Sequence, residues 1–271
     1  MSDFRPRRSA LFLPASNPRA IGKALGLPAD VIILDLEDAV APEAKPDARA
    51  AAMMAARDGF PGRETVIRVN APDTPWGVDD LAAMRETGAT VLVPKIRNTG
   101  DVETCRDHLG SETPLWAMIE TGEALGRLQD IAETNVQGFV LGVNDLGLEL
   151  GARPGAERPW LAPVQTMVLA AARSRGLVAL DGVCNDFNDD GRLRAECETA
   201  AAMGFDGKSL IHPRQIETCN SVFSPSREEI AWAEKVRDAF AGSDGGVIQV
   251  EGKMVEALHL AQAERILEMA R

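Results

Sequence analysis

The chain has 271 residues with 41 acidic against 29 basic side chains, a net charge of −12, and it is 45% apolar and 26% charged. That is the composition of a folded core, not of a disordered or fibrous chain. With an acidic balance, no Tyr and only 12 Phe and Trp, it lacks both the clustered cations that grip phosphate backbones and the platforms that stack bases, which excludes a nucleic-acid partner.

Eight short apolar or β-branched runs follow one another along the chain. They are RSALFLP (8–14), VIILDLE (31–37), TVIRVN (65–70), TVLVPKI (90–96), LWAMIE (115–120), VQGFVLG (136–142), LVALDGV (177–183) and FDGKSLI (205–211). Most are nearly continuous in hydrophobicity, as parallel strands covered on both faces must be. Ala- and Leu-rich stretches at helical spacing lie between them, such as 46–58, 77–87, 163–175 and 190–203, with Gly59, Gly88, Gly176 and Gly204 in C-cap positions. Each interval holds one crossover helix, so the pattern predicts a (β/α)8 TIM barrel over residues 1–223.

The segment GLELGARPGAERPWLAP (147–163) reads as an extended loop on the barrel mouth. Residues 224–271 exceed what barrel closure needs and are expected to form a lid or packing arm. Ser226 and Glu229 make a capping box for a helix to about Ala241; a Gly-rich turn (Gly242 to Gly246), a short strand VIQVEG and a final helix from about Met254 follow. No apolar run reaches the roughly 18 residues of a membrane span, and the apolar part of MSDFRPRRSALFLPA is too short for a secretory signal. The expectation is a cytoplasmic protein without a membrane partner.

Cys105, Cys184, Cys197 and Cys219 are scattered, and His108, His212 and His259 have no paired spacing, so disulfides and zinc are not expected. Any metal would be hard and oxygen-ligated, Mg²⁺ or Mn²⁺.

Barrels of this type carry their chemistry at the carboxyl ends of the strands. Polar residues recur there: Asp35, Glu37 and Asp38 after the second strand, then Arg68 and Asn70, Lys95, Glu120, Asn144 with Asp145, Asp181, and Lys208 running into His212. Carboxylates crowded in a low-dielectric mouth repel one another, a cost that a divalent cation relieves. Arg68 in the same cup would bind a substrate carboxylate through a bidentate fork. This predicts a barrel enzyme using Mg²⁺ on a small, anionic, oxygen-rich substrate. Lys208 with Asp181 reads equally as a structural ion pair, His212 as a buried histidine bonded to backbone, and Asn144 and Asn185 as loop caps.

The strings RSALFLPASNPRAIGKA, ADVIILDLEDAVAPEAKPDARA, VIRVN, VLVPKI, LWAMIETGEAL, LGVNDLGLELG, DGVCNDF, MGFDGKSLIHPRQI and FSPSREEI resemble, in order, the citrate lyase β-subunit-like family of CoA ester lyases, which includes malyl-CoA and citramalyl-CoA lyases. The resemblance implies a (β/α)8 barrel, a homotrimer or dimer of trimers, Mg²⁺, and a CoA thioester with a 2-oxo acid such as glyoxylate. It puts the metal ligands at Glu120 and Asp145, the carboxylate-binding arginine at Arg68 beside Asn70, and an acidic pair around metal-bound water at Glu37 and Asp38. CoA contacts fall on Phe12, Arg19, Lys23 and Lys45; residues 1–23 hold five basic residues against one acidic.

The resemblance also implies a catalytic Asp on a C-terminal lid delivered by a neighbouring subunit. Here the matching stretch is GKMVEAL, so Glu256 stands in its place. Its carboxylate reaches about 1.5 Å farther, and a misplacement of about 1 Å can cost roughly a hundredfold in rate. GKMVEALHL, LWAMIET, GVNDLGLELG and LRAECE resemble a (3S)-malyl-CoA thioesterase branch. The sequence reading therefore names a Mg²⁺-dependent CoA ester lyase first, with malyl-CoA hydrolysis to malate and CoA as its alternative. A CoA-binding barrel without chemistry is the reading from a different class.

Overall fold

The computed structural model describes residues 5–153, 155, 158–243 and 246–270. Parts of the expected mouth loop (154, 156 and 157) and of the Gly-rich turn (244 and 245) lie outside the described residues.

In chain order, β1 (Ser9–Pro14), α1 (Pro18–Ala24), β2 (Val31–Asp35), a 3₁₀ turn (Pro42–Ala44), α2 (Lys45–Asp58), β3 (Glu64–Arg68), α3 (Gly77–Met84) and β4 (Thr90–Val93) make the first half. Then come α4 (Thr99–Leu109), β5 (Leu115–Ile119), α5 (Gly122–Leu125), α6 (Leu128–Ala132), β6 (Gly138–Leu141), α7 (Val143–Glu149), α8 (Leu161–Ser174), β7 (Val178–Asp181), α9 (Asp190–Met203) and β8 (Gly207–Leu210). The eight strands pair in parallel and in chain order into a closed barrel, with Ser9 of β1 opposite Lys208 of β8 completing the ring. This is the expected (β/α)8 fold. The strands are shorter than the apolar runs that announced them, because the flanking residues turn toward the helices or the mouth.

Strand alternation sorts the residues of each run. Ala10, Val31, Ile33, Val66, Leu92, Trp116, Met118, Val140 and Leu180 pack together as the barrel interior, with Phe12 and Val178 against them. Ile32 and Leu34 are equally buried but belong to the alternate set, which meets the helices. All four cysteines are free and buried, as expected. Among the described residues no helix is long and apolar enough to cross a membrane.

The chain divides into two compact units, residues 7–220 and a C-terminal unit that begins at Ser221. After α10 (Ile216–Phe223), α11 (Arg227–Ala241) opens on the expected capping box: Ser226 N donates to the Glu229 carboxylate at 2.7 Å and Glu229 N to Ser226 Oγ at 3.1 Å. The expected helix start at Met254 is corrected. Met254 lies in a second strand, β10 (Lys253–Val255), antiparallel to β9 (Ile248–Val250), and α12 starts at Ala257 and runs to Met269. Glu251 and Gly252 both take positive φ (48° and 80°), the two left-handed residues of a tight hairpin turn. Ala233, Val236, Val250, Val255 and Ala263 form the core of this unit.

Closing the barrel requires a residue without a side chain at the start of β8, since a Cβ on Gly207 would strike the carbonyl oxygens of Arg7 and Arg8. Both are backbone atoms and cannot swing away. Gly207→Ala is therefore expected to lower the melting temperature by ten degrees or more, or to abolish soluble folding, as read by circular dichroism; about 4 kcal/mol or more is the scale of such a backbone clash.

Candidate active site

Asp35 ends β2 and Arg68 ends β3, directly opposite in the strand register and both on the interior set of positions. The Arg68 fork closes on Asp35: Nε donates to Oδ1 and Nη2 to Oδ2, each at 2.7 Å. Asp35 also accepts the backbone N–H groups of Glu37 (2.9 Å) and Ala39 (3.2 Å), so its carboxylate pins the turn after β2. Glu37 Oε2 lies 2.8 Å from Arg68 Nη1, off the N–H line, making a charge contact rather than a hydrogen bond. Asp38 is farther away at 3.8 Å, and its side chain is 69% exposed. The Phe12 ring lies 4.8 Å under the guanidinium.

This arrangement corrects the expected role of Arg68. Its bidentate edge belongs to Asp35, and Nη1 meets Glu37 at 2.8 Å and donates to Met118 Sδ at 3.9 Å, so a ligand reaches Nη1 only beside those groups. Burial works against the Arg68 charge, but the hydrogen bonds and charge of Asp35, with Glu37 and Asp38 behind them, hold its pKa above the ordinary arginine value. For Glu37, burial pushes the carboxyl up to about 7 against the pull of Arg68, and Glu120, Asp38 and Asp35 add repulsion.

Lys45 and Asn70 lie behind this pair. Lys45 is buried, and its ammonium donates to the carbonyls of Leu36 (2.8 Å) and Glu37 (2.9 Å) and to Asn70 Oδ1 (2.6 Å). Asn70 Nδ2 donates to Asp80 at 2.6 Å, and Asp80 accepts Arg49 Nε at 2.6 Å. The polar atoms of both side chains are taken up in clamping the turn after β2. Arg19 and Lys23 instead stand exposed four residues apart on α1.

Glu120 follows β5 and is 2% exposed. Its Oε1 accepts the backbone N–H of Lys95 at 2.8 Å. Gly142 makes room for it, since a Cβ there would come within 2.5 Å of Glu120 Cβ and Oε2. Asp145 sits in the first turn of α7. The Lys95 ammonium contacts Asp145 Oδ2 and lies 3.4 Å from Glu120 Oε1, so one cation bridges both carboxylates. Asp35, Asp38, Arg68, Glu120, Asn144 and Asp145 all line one cavity of about 370 Å³ whose apolar wall includes Phe12, Met118 and Val183.

Asp181 and Lys208 leave the expected cup. Leu180 belongs to the interior, so Asp181 faces the helices, where Lys208 Nζ (2.6 Å) and Gln165 Nε2 (2.8 Å) donate to it. Lys208 also meets Glu196 of α9 at 3.1 Å. The pair is structural. His212 caps the next turn by accepting Arg214 N at 3.2 Å and stacks on Phe187 at 4.6 Å. Asn144 and Asn185 hydrogen-bond to each other. Glu256 N-caps α12 in the C-terminal unit, where its backbone N–H donates to His259 Nδ1 at 3.0 Å.

Residues 8–213 match the model of the HpcH/HpaI aldolase/citrate lyase family. The chain belongs to the HpcH/HpaI aldolase/citrate lyase family. It is 44% identical to the (3S)-malyl-CoA thioesterase of Cereibacter sphaeroides over 98% of this chain and 95% of that one. It is 35% identical to the citrate lyase β subunit of Escherichia coli over 98% and 94%. The fold superposes with a TM-score of 0.82 on CitE of Mycobacterium tuberculosis in complex with magnesium, acetoacetate and coenzyme A, at 34% identity over 100% and 99% of the two chains.

The family implies Mg²⁺, and the donor set here fits it. Glu120 and Asp145 supply hard oxygens and already share one cation, the Lys95 ammonium. Among the described residues no group of three or more His, Cys, Asp or Glu gathers as a metal cage. Two carboxylates with water and substrate oxygens completing the shell is the pattern Mg²⁺ prefers. Asp35 and Lys95 stood among the strand-end polar residues without a role from the resemblance; the fold pairs Asp35 with Arg68 and Lys95 with Glu120 and Asp145.

The raised Glu37 pKa carries a stability consequence. A carboxyl at about 7 in the fold and near 4.5 unfolded binds its proton more tightly when folded, so stability falls as pH rises from about 4.5 through 7, by roughly 3 kcal/mol at about 1.4 per pH unit. Glutamine does not ionise. Glu37→Gln is therefore expected to raise the melting temperature of the metal-free protein at pH 8 by several degrees and to leave it unchanged near pH 4, measured by calorimetry at both.

Proposed function

We propose that the chain is a Mg²⁺-dependent enzyme acting on a short 3-hydroxyacyl-CoA of the malyl-CoA type, and that it hydrolyses the thioester to the hydroxy acid and CoA. The observation that carries this reading is the gathering of Glu120, Asp145 and Arg68 around one cavity at the carboxyl end of the barrel. The order of the sequence reading, lyase before thioesterase, is reversed here. The support is the 44% identity to (3S)-malyl-CoA thioesterase, which extends over 98% of the chain.

Glu120 and Asp145 would hold the metal, which when bound would polarise a substrate oxygen and favour negative charge developing on it. Arg68 is oriented by Asp35, and its Nη1 would take the substrate carboxylate alongside or in place of Glu37. Phe12, Met118 and Val183 wall the cavity on its apolar side, limiting water to the open face. Asp38 lines the cavity with an exposed carboxylate and can take a proton from an attacking water. Glu256 is the second candidate base, carried on a C-terminal unit that we take to reach the barrel of a neighbouring subunit in a homotrimer or dimer of trimers. Arg19 and Lys23, with no ion-pair partner among the described residues, are assigned to the CoA phosphates.

C–C cleavage to acetyl-CoA and glyoxylate is the second reading, favoured by the 35% identity to citrate lyase β subunits. Incubation of the purified protein with malyl-CoA and Mg²⁺ separates them: malate with free CoA is expected, whereas acetyl-CoA with glyoxylate makes the enzyme a lyase. Neither product would leave a CoA-binding barrel. Glu256→Ala is expected to lower kcat by about a hundredfold or more, the usual scale for losing a general base; unchanged turnover removes Glu256 and leaves Asp38 as the base.

A further inference from the structure

The Lys95 ammonium lies against Glu120 and Asp145, the two carboxylates assigned above to the metal. Lys95 follows β4 with φ at +56°, a left-handed conformation that a residue with a Cβ adopts only under compulsion. In that conformation the backbone N–H meets Glu120 Oε1, and the side chain curls back to put its ammonium between Glu120 and Asp145. The backbone bond does not depend on where the ammonium goes, so Glu120 keeps its orientation if the side chain leaves.

The side chain also has somewhere to go. It is 38% exposed, so it is not locked by packing. Lys95 borders a second cavity of about 220 Å³ that Asp73, Arg97 and Asp101 also line. Asp101 is taken by both nitrogens of the Arg97 fork, at 3.0 and 2.9 Å, whereas Asp73 is exposed and only 3.9 Å from the same guanidinium. That cleft offers an anionic partner to an arriving ammonium.

We propose that Lys95 is a positioning residue that sets the metal affinity of the site. Its ammonium holds Glu120 and Asp145 together when the metal is absent and withdraws toward Asp73 when the metal enters. This rests on reading Glu120 and Asp145 as the Mg²⁺ ligands. An ammonium and a dication held by the same two carboxylates repel each other, so each weakens the other's hold by the same coupling. The measured metal affinity is then the difference between two occupants of one seat.

The test is binding of Mn²⁺, read by electron paramagnetic resonance, and of Mg²⁺, read by calorimetry, to metal-free wild type, Lys95→Met and Lys95→Arg, with Asp145→Asn as the control for the ligand set. Lys95→Met is expected to bind either metal about tenfold tighter or more, the scale of one partly buried ion pair. Its melting temperature should fall without metal and return to that of wild type with saturating Mg²⁺. Lys95→Arg, which restores a tethered cation, should bring the affinity back toward wild type. Equal or weaker binding by Lys95→Met overturns the proposal, since a supporting or scaffolding lysine weakens the site when lost. Failure of the underlying reading looks different: wild type itself takes up no metal, or Asp145→Asn binds it as well as wild type does.

Discussion

The pairing of Asp35 with Arg68 is the constraint from which the rest of the barrel mouth is built. The two side chains sit opposite each other across β2 and β3, almost fully buried, and exchange two hydrogen bonds of 2.7 Å. A buried carboxylate and guanidinium are tolerable only when every strong donor and acceptor is met, and Asp35 meets the requirement by also accepting two backbone N–H groups of the turn that follows it. The same pair therefore fixes the path of residues 36–39 and turns one guanidinium edge into the cavity. The ionised form of Glu37 is disfavoured chiefly by burial, against the pull of Arg68, with smaller repulsion from Glu120, Asp38 and Asp35.

A second layer holds the first. Lys45 and Asn70 grip the carbonyls of the turn from behind, Asp80 accepts from Asn70, and Arg49 donates to Asp80. Removing any one of these leaves an unmet buried charge or amide, which is why residues that look like ligands in sequence serve here as framework. The outer side of β7 and β8 is treated in the same way, with Lys208 neutralising Asp181 and Glu196 between strands and helices. The barrel thus keeps one concentration of polar groups inside its mouth and another between its layers.

The end of the mouth at Glu120 and Asp145 follows a different rule. Glu120 and Asp145 are not paired with each other's counter-charge by design of the strands; they are brought near by the turn at Lys95 and the start of α7, and Gly142 provides the space. Strain in the Lys95 backbone and a shared ammonium are the cost of keeping two carboxylates close. Such an arrangement is poorly suited to stability, the usual mark of side chains kept for a ligand.

The sequence by itself determined the barrel, because eight apolar runs with helical stretches between them have few other ways to bury both faces of each strand. It also located the strand-end residues Arg68, Glu120 and Asp145, since the carboxyl end of a parallel barrel is where polar residues can collect. The hairpin at Glu251–Gly252 escaped notice: its second strand is only three residues long, too short for periodicity to register against the helix that follows. Only the tertiary structure decided which polar residues face the cavity. Leu180 points inward, so Asp181 and Lys208 point out; Asp35 occupies the fork of Arg68; Lys45 is consumed by backbone carbonyls; and Lys95 bends back onto the carboxylates. Composition and spacing say that a residue is at a strand end, but its neighbours across the sheet decide whether its charge is spent there or left free for a ligand.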